Sequence, residues 1–240
     1  MRSFRHLKLS GLAAVSVCGL LAIPATAAGS TASFAMALHG PHAARIKTFV
    51  PAFKTPGGKR IATLQPGTPM TGGPSVFPIA RTKTVDATDW LGVLLTGRPN
   101  GRLAWIPASS ATVIQLHWRL RVDLSNRALA VFRDGKLVRR LHVVIGTADT
   151  PTPTGHFHVI ERVRLGTSWS RTGWALALSA FSNVLKHFDG GDGQVAIHAK
   201  GTLDGALGSA SSHGCIRVRN QDAAWLAHRI TNGTPVDIVR

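Results

Sequence analysis

Turn-forming residues cut this chain into pieces too short for long helices. From residue 45 to about 115 its apolar runs are four to six residues long, at 46–50, 60–64, 75–79, 90–95 and 103–106. Pro56-Gly57-Gly58, Pro66-Gly67, Gly72-Gly73-Pro74 and Pro99-Asn100-Gly101 separate them. Short apolar runs between Gly and Pro clusters read as strands joined by turns, here a small antiparallel barrel or meander. The segments DWLGVLL and GRLAWIP, joined by TGRPN, read as a hairpin with Trp90 and Trp105 near its ends. Paired tryptophans on a hairpin are more often core than a ligand platform.

A second block opens near Arg119. Residues 120–124 alternate apolar and polar side chains before a turn at Ser125-Asn126. Residues 128–132 and 136–144 flank Asp134-Gly135, a strong two-residue hairpin signal. Strand-like patterns continue at 155–164, 174–178 and 194–198. One helix is expected, from about 221 to 231, with Asn220 as N-cap, Trp225, Leu226 and Ile230 on its apolar face, and Gly233 at C′. A last strand covers 235–239. The fold class is mainly β, in two β-rich domains with one clear C-terminal helix.

The N-terminus is set apart from this pattern. Arg2, Arg5 and Lys8 precede an apolar stretch from Leu9 to about Ile23, and Ala25-Thr26-Ala27 forms a small-x-small cleavage site. That is the layout of a secretory signal peptide, residues 1–27. An uncleaved anchor is the alternative, and it is the one route by which this chain would engage a membrane. Residues 28–44 read as a flexible leader and 45–116 as the first β module. Cleavage would remove three cations and no carboxylate, taking the formal charge from +17 to about +14. It would also remove Cys18 and leave Cys215 as the single thiol. An exported protein that relied on a disulfide would keep a pair. The positive residues are scattered, with no dense run and no interleaved aromatics, so nucleic acid is not expected as a partner. Outside the cell the candidates are anionic cell-wall polymers, weighed against a solvated basic surface with no specific partner.

The chemistry concentrates in VAIHAKGTLDGALGSASSHGCIRVRNQDAAWL. His198 ends an apolar run, a Gly-rich loop follows, and Ser212-His213-Gly214-Cys215 leads into the extended Ile216-Arg217-Val218. A neighbouring histidine, a positive charge or backbone dipoles can lower a thiol pKa and make a nucleophile. Gly214 lets the backbone turn tightly before Cys215 and can aim consecutive N–H groups inward, as an oxyanion hole requires. His198 and His213 are the candidate bases. Arg217, two residues beyond the cysteine, shares its face in a regular strand and suits a thiolate or a substrate carboxylate. His156 and His158 sit at strand spacing and read as an ordinary strand pair.

These residues resemble a known family. The pattern IH…SHGCIRV.N.DA followed by GTPVDI looks like the catalytic domain of L,D-transpeptidases, the YkuD-type domain, and DLSNRALAVFRDGKLVRRLHVVIGTADTPTPTGHFHV resembles its opening strands. The resemblance covers residues 117–240, and the preceding hairpin is similar to SH3-like regions found before such domains in some actinobacterial proteins. It implies a peptidoglycan enzyme of cell-wall biogenesis acting on stem peptides. Cys215 would attack the carbonyl of an L-centre joined to a D-centre, release D-alanine and pass the acyl group to a neighbouring stem, giving a 3→3 cross-link. His198 would act as base and acid, its tautomer fixed by a carbonyl such as that of Ala199. The N–H groups of His213, Gly214 and Cys215 would hold the oxyanion. Ser212, Arg217 and Asn220 would contact substrate, with no metal and no cofactor. The chain departs from the pattern where His-Gly-Thr is usual, having His198-Ala199-Lys200-Gly201-Thr202; it has Arg217 where Asn is common, and it contains no Tyr.

Three other readings stay open. An L,D-carboxypeptidase would use the same acyl-enzyme and pass it to water. His198, His213 and Cys215 could instead ligate zinc in a wall hydrolase. A non-catalytic wall-binding protein would grip glycan with two β modules, and it leaves the SHGC segment unexplained. Any of these would work outside the cytoplasm, secreted to the cell wall.

Overall fold

The computed structural model describes residues 41–166, 173–188 and 190–240. The expected signal segment and most of the leader lie outside the described residues. Seven strands form the first sheet: β1 (His42–Ile46), β2 (Val50–Phe53), β3 (Arg60–Leu64), β4 (Val76–Val85), β5 (Thr88–Leu94), β6 (Leu103–Pro107) and β7 (Ala111–Gln115), in the order β3-β2-β6-β5-β4-β1-β7. Antiparallel pairing of β5 with β6, from Trp90↔Pro107 to Leu94↔Leu103, is the hairpin read from the sequence. Trp90 is buried with its ring edge-on to Phe53, centroids 5.7 Å apart, which makes it core.

Three details differ from expectation. β1 begins inside the stretch read as leader, because Ala43 and Ala44 are both fully buried and two alanines give no apolar–polar contrast. The run 46–50 is not a strand; it ends β1, turns, and starts β2, leaving Phe49 68% exposed. The β4–β5 turn went unread because it is built on Asp86 and Ala87, both at positive φ (47° and 57°), without a glycine to mark it.

The second sheet holds β8 (Trp118–Asp123), β9 (Ala128–Arg133), β10 (Lys136–His142), β12 (Gly155–Arg164), β13 (Trp174–Phe181), β14 (Gln194–Ala199), β16 (Ile216–Val218) and β17 (Pro235–Val239), in the order β10-β9-β8-β17-β12-β13-β14-β16. Here β17 runs parallel to β8 and β16 parallel to β14. Two short strands, β11 (Ile145–Gly146) and β15 (Ala210–Ser212), pair separately in parallel. At the β9–β10 turn Asp134 and Gly135 have φ of 48° and 77°, the geometry a two-residue primed turn demands. Leu120, Leu129, Phe157, Leu176, Ile197, Ile216 and Leu226 meet in one core.

The helix α1 (Asn220–Ala227) packs on β13 and β14. It is shorter than expected, and Arg219, not Asn220, holds the cap position without a side-chain bond. Asn220 Oδ1 instead accepts the Gly201 N–H at 2.8 Å, a loop contact that competes with capping. Gly233 lies six residues past the helix end at φ 84°; its N–H donates to the Val159 carbonyl as the chain turns into β17.

The two sheets are joined by polar clasps. Asn100 makes a paired bond to Phe181, accepting its N–H at 2.9 Å and donating to its carbonyl at 2.8 Å. Arg98 donates to the carbonyls of Ser182 and Leu185, each at 3.0 Å. The buried carboxylate of Glu161 on β12 accepts the N–H groups of Met70 (3.1 Å) and Thr71 (2.9 Å) and the Thr71 hydroxyl (2.7 Å). Phe77 meets the buried ring of His158 edge-on, centroids 5.9 Å apart.

Candidate active site

Parallel pairing of β14 with β16 sets His198 beside Arg217 and Ile197 beside Ile216. Cys215 immediately precedes β16, which puts it level with Ala196 inside β14. Ala196, two residues before His198, gives the sulfur a backbone hydrogen bond. His198, Cys215 and Arg217 line one cavity of about 390 Å³ together with His213, Asp204 and Gln194. A second cavity of about 250 Å³ also reaches His198 and Cys215; its wall is mainly apolar, with Asp192 and Gln194 as its other polar side chains. A larger cavity, about 530 Å³, includes neither residue; it lies between the first sheet and His158.

The turn that presents Cys215 is braced from three sides. Gly214 sits at φ 114°, which a side chain would strain. Ser212 is fully buried; its hydroxyl donates to the Cys215 carbonyl at 2.6 Å and accepts the Gly214 N–H at 3.1 Å. Thr152, also buried, accepts the Gly146 N–H and donates to the Gly214 carbonyl, both at 2.9 Å. Gly146 allows that approach, since a Cβ there would lie 2.3 Å from the Thr150 carbonyl oxygen. Thr152 opens Thr152-Pro153-Thr154-Gly155 within the opening-strand segment, where nothing local shows that it reaches a turn sixty residues away.

His198 is buried, and its Nδ1 meets the Ala199 carbonyl at 2.9 Å. A carbonyl only accepts, so Nδ1 carries the proton and Nε2 keeps its lone pair. Burial pushes the imidazole pKa below 6.5, opposed by the Ala199 bond and assisted by the Arg217 charge. Burial also raises the Cys215 thiol, against the opposing pull of the Ala196 bond and Arg217. The resting pair is therefore neutral thiol and neutral imidazole, which corrects the expectation that the surroundings lower the thiol pKa. Here desolvation outweighs the nearby charge.

Arg217 is buried; its Nη1 donates to the Asp204 carbonyl at 2.9 Å, while Nε has no partner among the described residues. His213 is exposed and stacks on Phe188 with centroids 4.9 Å apart. The structure thus brings His198, Cys215, Arg217 and His213 to one cavity. Ser212 and Asn220 line neither cavity at Cys215: the Ser212 hydroxyl is used inside the turn, and Asn220 Oδ1 accepts the Gly201 N–H. The structure also withdraws the Gly214 N–H from the expected oxyanion hole. Among the described residues no three of His, Cys, Asp and Glu cluster as a metal ion would need.

The model of the L,D-transpeptidase catalytic domain, YkuD, matches residues 117–238, half of the chain. The chain belongs to the YkuD family. Its YkuD domain is 31% identical over 125 residues to L,D-transpeptidase 1 of Mycobacterium tuberculosis, a match covering 49% of this chain and 48% of that protein. It is 30% identical over 126 residues to a Bacillus licheniformis protein provisionally named L,D-transpeptidase YkuD, covering 50% of this chain and 65% of that one. The chain thus spans 48% to 65% of the length of these relatives. A crystal structure of an L,D-transpeptidase from Mycobacterium tuberculosis is similar over 82% of this chain and 95% of its own, at 15% identity and a TM-score of 0.46.

Proposed function

We propose that this chain is an exported L,D-transpeptidase that forms 3→3 cross-links in peptidoglycan through an acyl-enzyme on Cys215. One observation carries the reading: Cys215 shares a cavity with a histidine whose Nδ1 is committed to a carbonyl, leaving Nε2 as a proton acceptor. Sγ attacks the carbonyl between the third and fourth stem residues, and the thiol proton passes to His198. The N–H groups of His213 and Cys215 hold the oxyanion. The C–N bond breaks, His198 returns the proton to the departing D-alanine amine, and a thioester remains. An acceptor amine then attacks the thioester, loses its proton to His198, and the thiol is restored. Arg217 holds a substrate carboxylate in the 390 Å³ cavity.

The signal layout of residues 1–27 and the excess of cations support an extracytoplasmic setting, with anionic wall polymers as secondary partners. Product analysis tests the reaction. A cross-linked peptide dimer with released D-alanine, lost on thiol alkylation and insensitive to chelator, supports the transpeptidase. Cleaved tripeptide alone makes the chain a carboxypeptidase, and chelator-sensitive turnover overturns the thiol mechanism.

A further inference from the structure

The first sheet reaches the site. Residues 66–75 form a loop closed on itself, Ser75 N–H bonding to the Pro66 carbonyl at 2.9 Å and Thr68 N–H to the Gly73 carbonyl at 2.8 Å. Its tip is the segment whose N–H groups the Glu161 carboxylate accepts. Glu161 is 1% exposed, and a carboxylate so buried demands that its donors stay seated. The seated tip leaves the Met70 side chain 56% exposed and in the wall of the 250 Å³ cavity that reaches Cys215. Val163, which follows Glu161 by two residues on β12, lines the same cavity with Ala175, Ala177 and Phe188.

The two cavities at Cys215 differ in chemistry. Both have apolar walls, but one adds Arg217, Asp204, Ser211 and His213, whereas the other adds Asp192 as its one acidic side chain among Met70, Val163, Leu165 and Phe188. In acyl transfer through a thioester, the attacking amine must approach from where the leaving amine departed. Leaving group and acceptor therefore share a side, and the leaving D-alanine carries a carboxylate that suits the Arg217 cavity. The acyl group takes the other side.

We infer that the first β module completes the acyl-donor subsite: Met70 is a specificity-determining residue packing on the aliphatic part of the donor's third residue, and Glu161 is its positioning residue. This rests on the transpeptidase reading and adds to it which cavity holds the donor and which module shapes it. A bulky side chain at position 70 fills the cavity, and loss of the carboxylate at 161 lets the tip move. A Gln there would turn a donor amide toward N–H groups that need acceptors.

The test measures D-alanine release against tetrapeptide concentration for wild type, Met70→Trp and Glu161→Gln in the full chain, with Cys215 alkylation by iodoacetamide as a control. The expected result is a donor KM raised about 10-fold in Met70→Trp and several-fold in Glu161→Gln, with kcat changed less than about 3-fold. The alkylation rate should stay within about 2-fold of wild type, since the small reagent does not need the subsite. A wild-type KM in Met70→Trp, whose exposed position tolerates the change, overturns the inference even if Glu161→Gln fails to fold. A fall in kcat and alkylation together also overturns it, because the variants would then be acting on Cys215 itself. No D-alanine release from wild-type protein overturns the transpeptidase reading instead.

Discussion

His198 and Cys215 are both neutral at rest because burial penalises each charge, and this has a measurable consequence. An imidazole held below its ordinary value stays a competent base at mildly acid pH, and a thiol pushed above 9.0 offers no thiolate to lose. The acid limb of kcat/KM is therefore expected below about pH 6.5, where an unperturbed imidazole would place it. A limb at or above that value would mean an ion pair at rest. His158 shows the same desolvation at a site with no chemistry. It is 1% exposed, its Nδ1 has no partner among the described residues, and burial lowers its pKa from 6.5 to about 3. Because the folded value is depressed, the unfolded chain binds the extra proton between pH 6.5 and 3, so stability falls as pH falls through that window. Between pH 7 and pH 5 the loss is about 2 kcal/mol, and His158→Phe should remove most of it. Urea denaturation of both proteins at the two pH values checks this; an equal pH dependence would contradict it.

At the scale of elements, the catalytic turn is held by residues far apart in the chain. Thr152→Val keeps the shape and removes both hydrogen bonds to Gly146 and Gly214. The expected cost is about 1–3 kcal/mol of stability, because buried backbone groups lose their partner. Acylation should slow by on the order of 10- to 100-fold as Cys215 drifts from its attack position. Unchanged acylation kinetics would show that the turn holds itself. This scale also separates what the sequence made legible from what it hid. The Asp134-Gly135 hairpin, the Trp90–Trp105 hairpin and the extended run after Cys215 were readable, since turn chemistry and apolar pattern are local. The SHGC segment singled out Cys215 as the proposed nucleophile because a lone thiol beside Gly and His has few structural explanations. The roles of Ser212, Asn220 and Thr152 were not readable. A polar side chain's partner is chosen by tertiary contact, and all three spend their groups on backbone brought in by the fold. The expected N-cap moved for the same reason: Asn220 lies inside the helix with its side chain drawn to Gly201, and Arg219 takes the cap position.

For the whole molecule, the claim is that two β sheets act as one enzyme. Asn100 and Arg98 clasp the β13 end, Glu161 clasps the Met70 loop, and Phe77 covers His158, so the first module is anchored at several separated points. Asn100→Ala removes the paired bonds to Phe181 and should lower stability by about 1–3 kcal/mol, seen as a lower urea midpoint. A midpoint equal to wild type would mean the clasp adds nothing. None of these contacts could be read from the chain, because each joins residues more than eighty positions apart. The central claim remains the covalent role of Cys215. Intact-mass measurement of the full chain after incubation with a stem tetrapeptide tests it most directly, with Cys215→Ala in parallel. The account predicts an adduct of the tetrapeptide less D-alanine on wild type and none on the variant. Turnover without an adduct, or equal behaviour of the two proteins, would contradict it.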